Sequence, residues 1–269
     1  MTQRSIFITG GGSGIGRAAA LHFAAKGWFV GVADINEAGM AETLGMIAGD
    51  AKWSGKLDVR DRARWDESLT AFAAAAGGRI DAMVNNAGIG TGGPLAELSK
   101  DEIDACLDIN LRGVLYGAQA VYPYLKASGP GSALVNIASA AGITGGSGMS
   151  VYSATKFGVR GIAESLDAEW VSDGITVSSI CPSFIDTPLL DGTSNRNTNE
   201  NIRTRVTAAG LEITPVSEVA QAIWDAVHGH ELHYLVGATA RRLAFSKRWM
   251  PGKVRKQQRA AGRQGLLGK

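Results

Sequence analysis

The chain has 269 residues, 45% of them apolar and 19% charged, which is enough to bury a full core and too apolar for disorder. Its two cysteines, Cys106 and Cys181, exclude a disulfide framework and a cysteine-built zinc site, and fit a reducing compartment. The net charge of +2 hides an asymmetry: residues 241–269 hold ten Lys or Arg and no acid, leaving 17 basic against 25 acidic residues elsewhere, so a mildly acidic body with no basic face for nucleic acid carries a basic tail.

The apolar run at 5–8 that follows Met1-Thr2-Gln3-Arg4 is too short for a signal peptide. No stretch approaches the roughly 18 apolar residues of a membrane-spanning helix. The expectation is a cytoplasmic chain without a transmembrane segment. In order along the chain, short apolar runs predict strands at 5–9, 28–33, 52–57 (the weakest), 80–84, 133–138, 175–180 and 234–236. Between them, helical stretches are expected at 15–26, 37–48, 62–76, 100–126 and 150–171. Strands that are apolar throughout, alternating with helix-length segments, predict an α/β fold with a parallel sheet covered on both faces.

After the first strand comes Thr9-Gly10-Gly11-Gly12-Ser13-Gly14-Ile15-Gly16-Arg17. Glycine at 10, 14 and 16 permits a tight turn and close approach of a phosphate to the backbone, and the following helix aims its N–H groups and positive dipole end at that phosphate. No Lys-Ser/Thr follows, so this is not an NTP-binding loop, and the strict G-x-G-x-x-G spacing is also absent. The second strand runs out at Asp34, eighteen residues after Gly16. A carboxylate there can accept both hydroxyls of an adenosine ribose; otherwise it caps the next helix. Further on, Ser139 follows the fifth strand, at the end of the sheet where ligands bind, and can donate a hydrogen bond to a substrate oxygen. Tyr152 and Lys156, at i and i+4 near the start of a helix, share one face. A neighbouring ammonium lowers a phenol's pKa, which suits Tyr152 to acid–base work.

The polar stretch 187–214 is long for a connection and is expected to be a lid; a disordered insertion is the bland alternative. His228, His230 and His233 pass from a helix end into a strand, where convergence on a metal is disfavoured, and no metal is expected. Cys106 and Cys181 read as buried small hydrophobes. The tail mixes Leu243, Phe245, Trp249 and Met250 with basic residues. It is compatible with peripheral contact to an anionic membrane, but docking on a partner subunit's acidic body or simple solvation is favoured, because Pro251-Gly252 interrupts the apolar stripe.

Taken together, the glycine turn at 9–16, Asn85-Asn86-Ala87-Gly88, Asn110, Ser139, Tyr152-x-x-x-Lys156, and Pro182 with Thr187 resemble the short-chain dehydrogenases/reductases over about residues 5–237. The resemblance implies a Rossmann-like doubly wound parallel sheet of seven strands with helices on both faces, a single catalytic domain over 1–240, and a catalytic tetrad of Asn110, Ser139, Tyr152 and Lys156. In it Tyr152 is the acid/base, Ser139 orients the carbonyl, Lys156 holds the ribose and lowers the Tyr152 pKa, and Asn110 keeps a water in a proton relay. Cofactor contacts implied the same way are Gly10, Ser13, Gly14, Ile15, Gly16, Asp34, Asp58, Val59, Asn86, Ala87, Gly88, Tyr152, Lys156, Pro182, Ile185 and Thr187. Asp58 would meet the adenine amine and Thr187 the nicotinamide carboxamide. Ser183 stands where the family usually has glycine.

The reading that follows is an NAD-dependent oxidoreductase moving a hydride between the nicotinamide and a secondary alcohol or ketone, as a homodimer or homotetramer. The alternatives are an NADP-dependent carbonyl reductase, which differs at the ribose pocket, and a non-catalytic dinucleotide sensor. Ile89, Ala141, Ile143, Met149, Phe184 and the loop after Thr187 are candidate substrate contacts, largely apolar, which favours a bulky apolar substrate. A carboxylate would have to draw on Arg196, Arg203 or Arg205. Arg17 is expected to point along its helix.

Overall fold

Alternation along the first strand, Ser5–Thr9 (β1), sends Ile6 and Ile8 to one side of the sheet and Phe7 to the other, and all three are fully buried. That double burial defines the architecture. In the computed structural model, which describes residues 3–192 and 200–263, seven strands form one parallel sheet in the order β3-β2-β1-β4-β5-β6-β7. The others are β2 (Phe29–Asp34), β3 (Lys52–Lys56), β4 (Ala82–Asn85), β5 (Ser132–Ile137), β6 (Ile175–Pro182) and β7 (His233–Val236). Crossover helices cover both faces, as expected of a Rossmann-like doubly wound sheet.

One face takes α1 (Gly14–Ala25), α2 (Glu37–Met46) and α8 (Val216–His228), which bury Phe23, Met40 and Ile223 against Ile6, Ile8 and Val84. The opposite face takes α3 (Arg62–Ala75), α5 (Gly113–Ser128) and α6 (Ser150–Trp170), where Trp65, Phe72, Val121 and Leu125 close over Phe7 and Met83. Strand order reverses at β1, which lies between β2 and β4, so the carboxyl ends of β1 and β4 open a crevice at the switch point.

The helix expected over 100–126 is interrupted. It runs as α4 (Lys100–Leu107), then a single π-helical turn at Asp108–Arg112, then α5. Ser99 opens α4 with a reciprocal capping box to Glu102. The interruption has a side-chain cause: Asn110, in the middle of the wide turn, is fully buried and bonds with both amide groups to the backbone of Ile89. Such bulges recur at functional positions.

The tail is helical. Residues 241–263 complete α9 (Ala238–Trp249) and form α10 (Pro251–Arg263), which pack on the chain's own body while most of their side chains stay exposed to solvent. Pro251 does interrupt the stripe, but as the first residue of a new helix. Val254 is buried and Gln258 donates to Thr144 Oγ1 at 2.9 Å, so α10 braces the segment between Ser139 and α6. In α9, Ala244 joins Ile143, Val159 and Cys181 in a small apolar cluster. Among the described residues, no helix is long and apolar enough to cross a membrane.

Candidate active site

The crevice holds a cavity of about 390 Å³. Its floor is the glycine turn. Gly10 and Gly14 take φ of +67° and +52°, which only glycine adopts without strain. Gly16 is packed more tightly still: a Cβ there would lie 2.2 Å from the Gly10 carbonyl and 2.7 Å from Asn86 Nδ2. Helix α1 begins at this turn with no side-chain cap and no acid in its first turn, so its positive end faces the cavity uncompensated. A turn this tight, with an open helix N-terminus, fits a diphosphate.

Asp34 sits on the cavity wall. Its carboxylate accepts from the Gly12 N–H at 2.9 Å and the Asn36 N–H at 3.0 Å. The cap of α2 is Asn36, which accepts from Gly39 N–H, so the capping alternative for Asp34 does not apply. Arg17 does not run along its helix. It turns back to donate to the carbonyls of Gly12 and Gly39 and to Thr43 Oγ1, and it pairs with Glu42 at 2.7 Å. Arg60 also lines the cavity and is engaged by Asp58 in a bidentate pair, which holds the Asp58 carboxyl below its usual range. Sequence reasoning missed Arg60; its one signal was the spacing of two from an expected cofactor contact.

The end of β4 is knitted to the end of β1. Thr9 Oγ1 accepts from the N–H groups of Asn86 and Ala87, and Asn86 Nδ2 donates to the carbonyls of Thr9 and Gly10. The next loop residues, Gly88 and Ile89, are held from behind by Asn110.

Opposite this wall, α6 presents Tyr152 and Lys156 on one face, as the i, i+4 spacing predicts, and β5 delivers Ser139 beside them. Tyr152 and Ser139 stand together on the cavity wall. Ser139 Oγ also accepts from the Ala141 N–H at 3.1 Å, which fixes its rotamer. Lys156 Nζ donates to the Ile137 carbonyl at 2.9 Å and lies 5.6 Å from the centre of the Tyr152 ring. Burial pulls Lys156 down to about 8. Burial also raises the Tyr152 phenol above its ordinary value, while Ser139 pulls the other way. The Lys156 ammonium is anchored on a backbone carbonyl rather than on the hydroxyl.

The cavity wall brings together Gly10, Ser13, Gly14, Ile15, Asp34, Asp58, Val59, Asn86, Ala87, Gly88, Ser139, Tyr152, Lys156, Pro182, Ile185 and Thr187. Gly16 and Asn110 stand behind it, the first as packing for the turn and the second as a clamp on the loop. Thr187 Oγ1 donates to the Ile185 carbonyl at 3.3 Å. Of the residues expected to touch substrate, Ile89 lines the cavity together with Leu189 and Leu190 from the segment after Thr187. Ala141, Ile143, Met149 and Phe184 do not; Ile143 is turned away into the cluster with Ala244. Leu57, Ile109 and Ile137 were missed, being apolar strand-end and helix residues that no motif marks.

The arginines proposed for a carboxylate are placed elsewhere. Arg203, in α7 (Ile202–Ala208), clasps Asp186 and Asp191 at 2.7 Å each, and Arg205 lies 3.9 Å from Glu200. Arg196, with the centre of the expected lid, lies outside the described residues. The histidines are dispersed: His228 Nδ1 is on the Trp224 carbonyl, and His233 bridges Ser179 and Glu164. Among the described residues no three metal-ligating side chains converge.

Residues 4–199 match the family model for short chain dehydrogenases. A levodione reductase from Leifsonia aquatica is 34% identical over 226 residues, covering 82% of this chain and 84% of the relative. The L-2,3-butanediol dehydrogenase of Corynebacterium glutamicum is 37% identical over 185 residues, covering 67% of this chain and 71% of that one. Among solved structures, a short-chain dehydrogenase/reductase from Burkholderia phymatum in complex with NAD superposes with a TM-score of 0.82 at 25% identity, over 95% of each chain.

Proposed function

This chain belongs to the short-chain dehydrogenases, an oxidoreductase family that binds a nicotinamide cofactor, and within it we propose an NAD-dependent enzyme acting on an uncharged secondary alcohol or ketone. The observation that carries the reading is the meeting of Ser139, Tyr152 and a buried Lys156 with a glycine cradle on one cavity wall. Bound in that cradle, the cofactor supplies or accepts a hydride. Ser139 and the loop held by Asn110 orient the substrate oxygen. Tyr152 gives that oxygen a proton in reduction and takes it back in oxidation. Lys156, fixed to the Ile137 carbonyl, places a positive charge beside the ring and would hold the cofactor's ribose. A sensor that only bound the dinucleotide would have no use for the Ser139–Tyr152 pair.

Asp34 supports NAD over NADP, since its carboxylate is fixed by two backbone N–H groups while Arg17 and Arg60 are committed to Glu42 and Asp58. The substrate end of the cavity supports an apolar molecule: Ile89, Leu189 and Leu190 line it, and Arg203 is spent on two carboxylates. The segment after Thr187, clasped through Arg203, is proposed as the lid. An apolar groove lined by Leu115, Tyr116, Tyr122 and Trp170 along α5 and α6 supports a two-fold contact between copies.

The test is a panel of secondary alcohols and ketones offered to the purified protein with NAD(H), read by nicotinamide absorbance. Turnover of an uncharged member, abolished in Tyr152→Phe, is expected. Tight NADH binding with no hydride transfer to or from any member would refute the enzyme and leave the sensor.

A further inference from the structure

Helix α9 buries one side against the body: Thr239 and Ala240 are buried, and Leu243 and Ala244 are half-buried. Its opposite side is unlike the rest of the surface. Phe245, Arg248 and Trp249 fall at i, i+3 and i+4 and share that outward side, Arg242 stands beside them, seven residues before Trp249, and Arg241 is exposed at the edge, where it also donates to the Leu235 carbonyl at 3.3 Å. Phe245 is 61% exposed and Trp249 65%, the Arg248 guanidinium lies 5.4 Å from the Trp249 ring centre, and Met250 next in line is also exposed. Across α9 and α10 there are nine basic residues and no acid, and none of the nine is ion-paired to a described carboxylate.

We infer that this outward face of α9 is a docking surface for an anionic lipid bilayer, independent of the reaction proposed above. Two neighbouring aromatic rings flanked by three arginines match the bilayer interface, where rings sit at headgroup depth and guanidinium groups meet phosphates. The face is the outer side of a helix whose inner side packs on the body. A bilayer takes up such a helix along its length, whereas a protein partner must supply a matching groove. The apolar groove along α5 and α6, which a second copy would offer, carries one carboxylate, Glu169, a single counter-charge for three arginines. With only two rings inserted, the attachment is reversible and weakens as salt rises.

The experiment is cosedimentation of the full-length protein with phosphatidylcholine vesicles, with and without phosphatidylglycerol, at low and high ionic strength. Binding is expected to the anionic vesicles at low ionic strength and not to phosphatidylcholine alone. Arg241→Gln/Arg242→Gln/Arg248→Gln should weaken it by about fivefold per arginine. Phe245→Ser/Trp249→Ser should also abolish the quenching of tryptophan emission by brominated lipid. NADH binding reports the fold of each variant, and if the aromatic pair perturbs it, the arginine variant decides alone. Absence of binding to anionic vesicles at low ionic strength overturns the inference, and so does binding that survives both substitutions. Variants that lower the sedimentation coefficient without changing vesicle binding would give the face to a second copy instead.

Discussion

Replacing Asp34 should shift coenzyme preference, and the structure sets the size of the effect. The carboxylate is held by the N–H groups of Gly12 and Asn36 at 2.9 and 3.0 Å, so it cannot swing away from a ribose 2′-phosphate without leaving both donors bare. At about 4 Å and an effective dielectric near 20, each like-charge contact costs about 4 kcal/mol before screening. The site opens to solvent, and if a quarter survives, ~1 kcal/mol remains, about fivefold in kcat/KM for each phosphate charge. Nearby cations do not offset it, since Arg17 is tied to Glu42, Arg60 to Asp58, and Lys56, the register partner of Asp34, to Glu37. Wild-type protein is therefore expected to prefer NAD(H) by about tenfold or more. Asp34→Asn, which removes the charge and keeps an acceptor, should gain with NADP(H) and lose little with NAD(H); Asp34→Ala should gain with NADP(H) and lose with NAD(H), because the turn loses its brace. The assay is kcat/KM with both coenzymes on one substrate. Equal use by wild type, or no gain for NADP(H) in either variant, would show that Asp34 does not discriminate.

Tyr152→Phe should reduce turnover by about 10²–10⁴-fold with NADH affinity nearly unchanged, and activity within tenfold of wild type would remove Tyr152 from the proton transfer. Because burial raises the phenol, Tyr152 stays protonated through neutral pH, so ketone reduction should run well there while alcohol oxidation climbs with alkalinity; an oxidation optimum below pH 7 would contradict this. Lys156 is depressed to about 8, so its buried charge destabilises the fold below that pH and the penalty fades as pH rises toward the ordinary lysine value. Lys156→Met should consequently stabilise the protein by ~1–2 kcal/mol at pH 7, after the unpaired Ile137 carbonyl is counted, with a smaller gain at pH 10, and denaturant melts at both values test the sign. Gln258→Ala, and more strongly truncation after Met250, should speed hydrogen exchange in residues 140–149 while NADH binding holds; unchanged exchange would mean that α10 braces nothing.

The sheet was legible because its strands are apolar throughout and sharply punctuated, and the cradle because Gly10, Gly14 and Gly16 leave few other uses for that spacing. Asp34 could be located from the sequence, but only the N–H donors of Gly12 and Asn36 separate a ribose acceptor from a helix cap. The π-turn was invisible, since one added residue in a long apolar helix leaves the 3.6 pattern intact on either side and its cause, the Ile89 backbone, is 21 residues away. From sequence alone Arg17 is expected to lie along its helix, because its partner Glu42 is 25 residues away and only folding joins them, and Arg60 carries no motif that marks it. Helix α10 escaped notice because Val254 is its one fully buried apolar residue and the rest of its grip is a polar bond to Thr144. Substrate contacts were the least legible: Ile143 and Leu189 are alike in a sequence, and only packing turns one inward and the other to the cavity.

The wide turn at Asp108–Arg112 also determines which insertions and deletions the gene can survive. Losing one residue there would heal the turn into plain α-helix and satisfy its backbone, yet it would rotate everything beyond by about 100° about the helix axis. Val114, Gly117, Ala118, Val121 and Leu125 would leave the core together, and α5 would turn a different side to Trp65 and Met83. Local regularity and global packing thus demand opposite lengths. The irregular residue is the phase correction between two helices that face different neighbours, and it can be removed only if α4 or α5 is rebuilt in the same step.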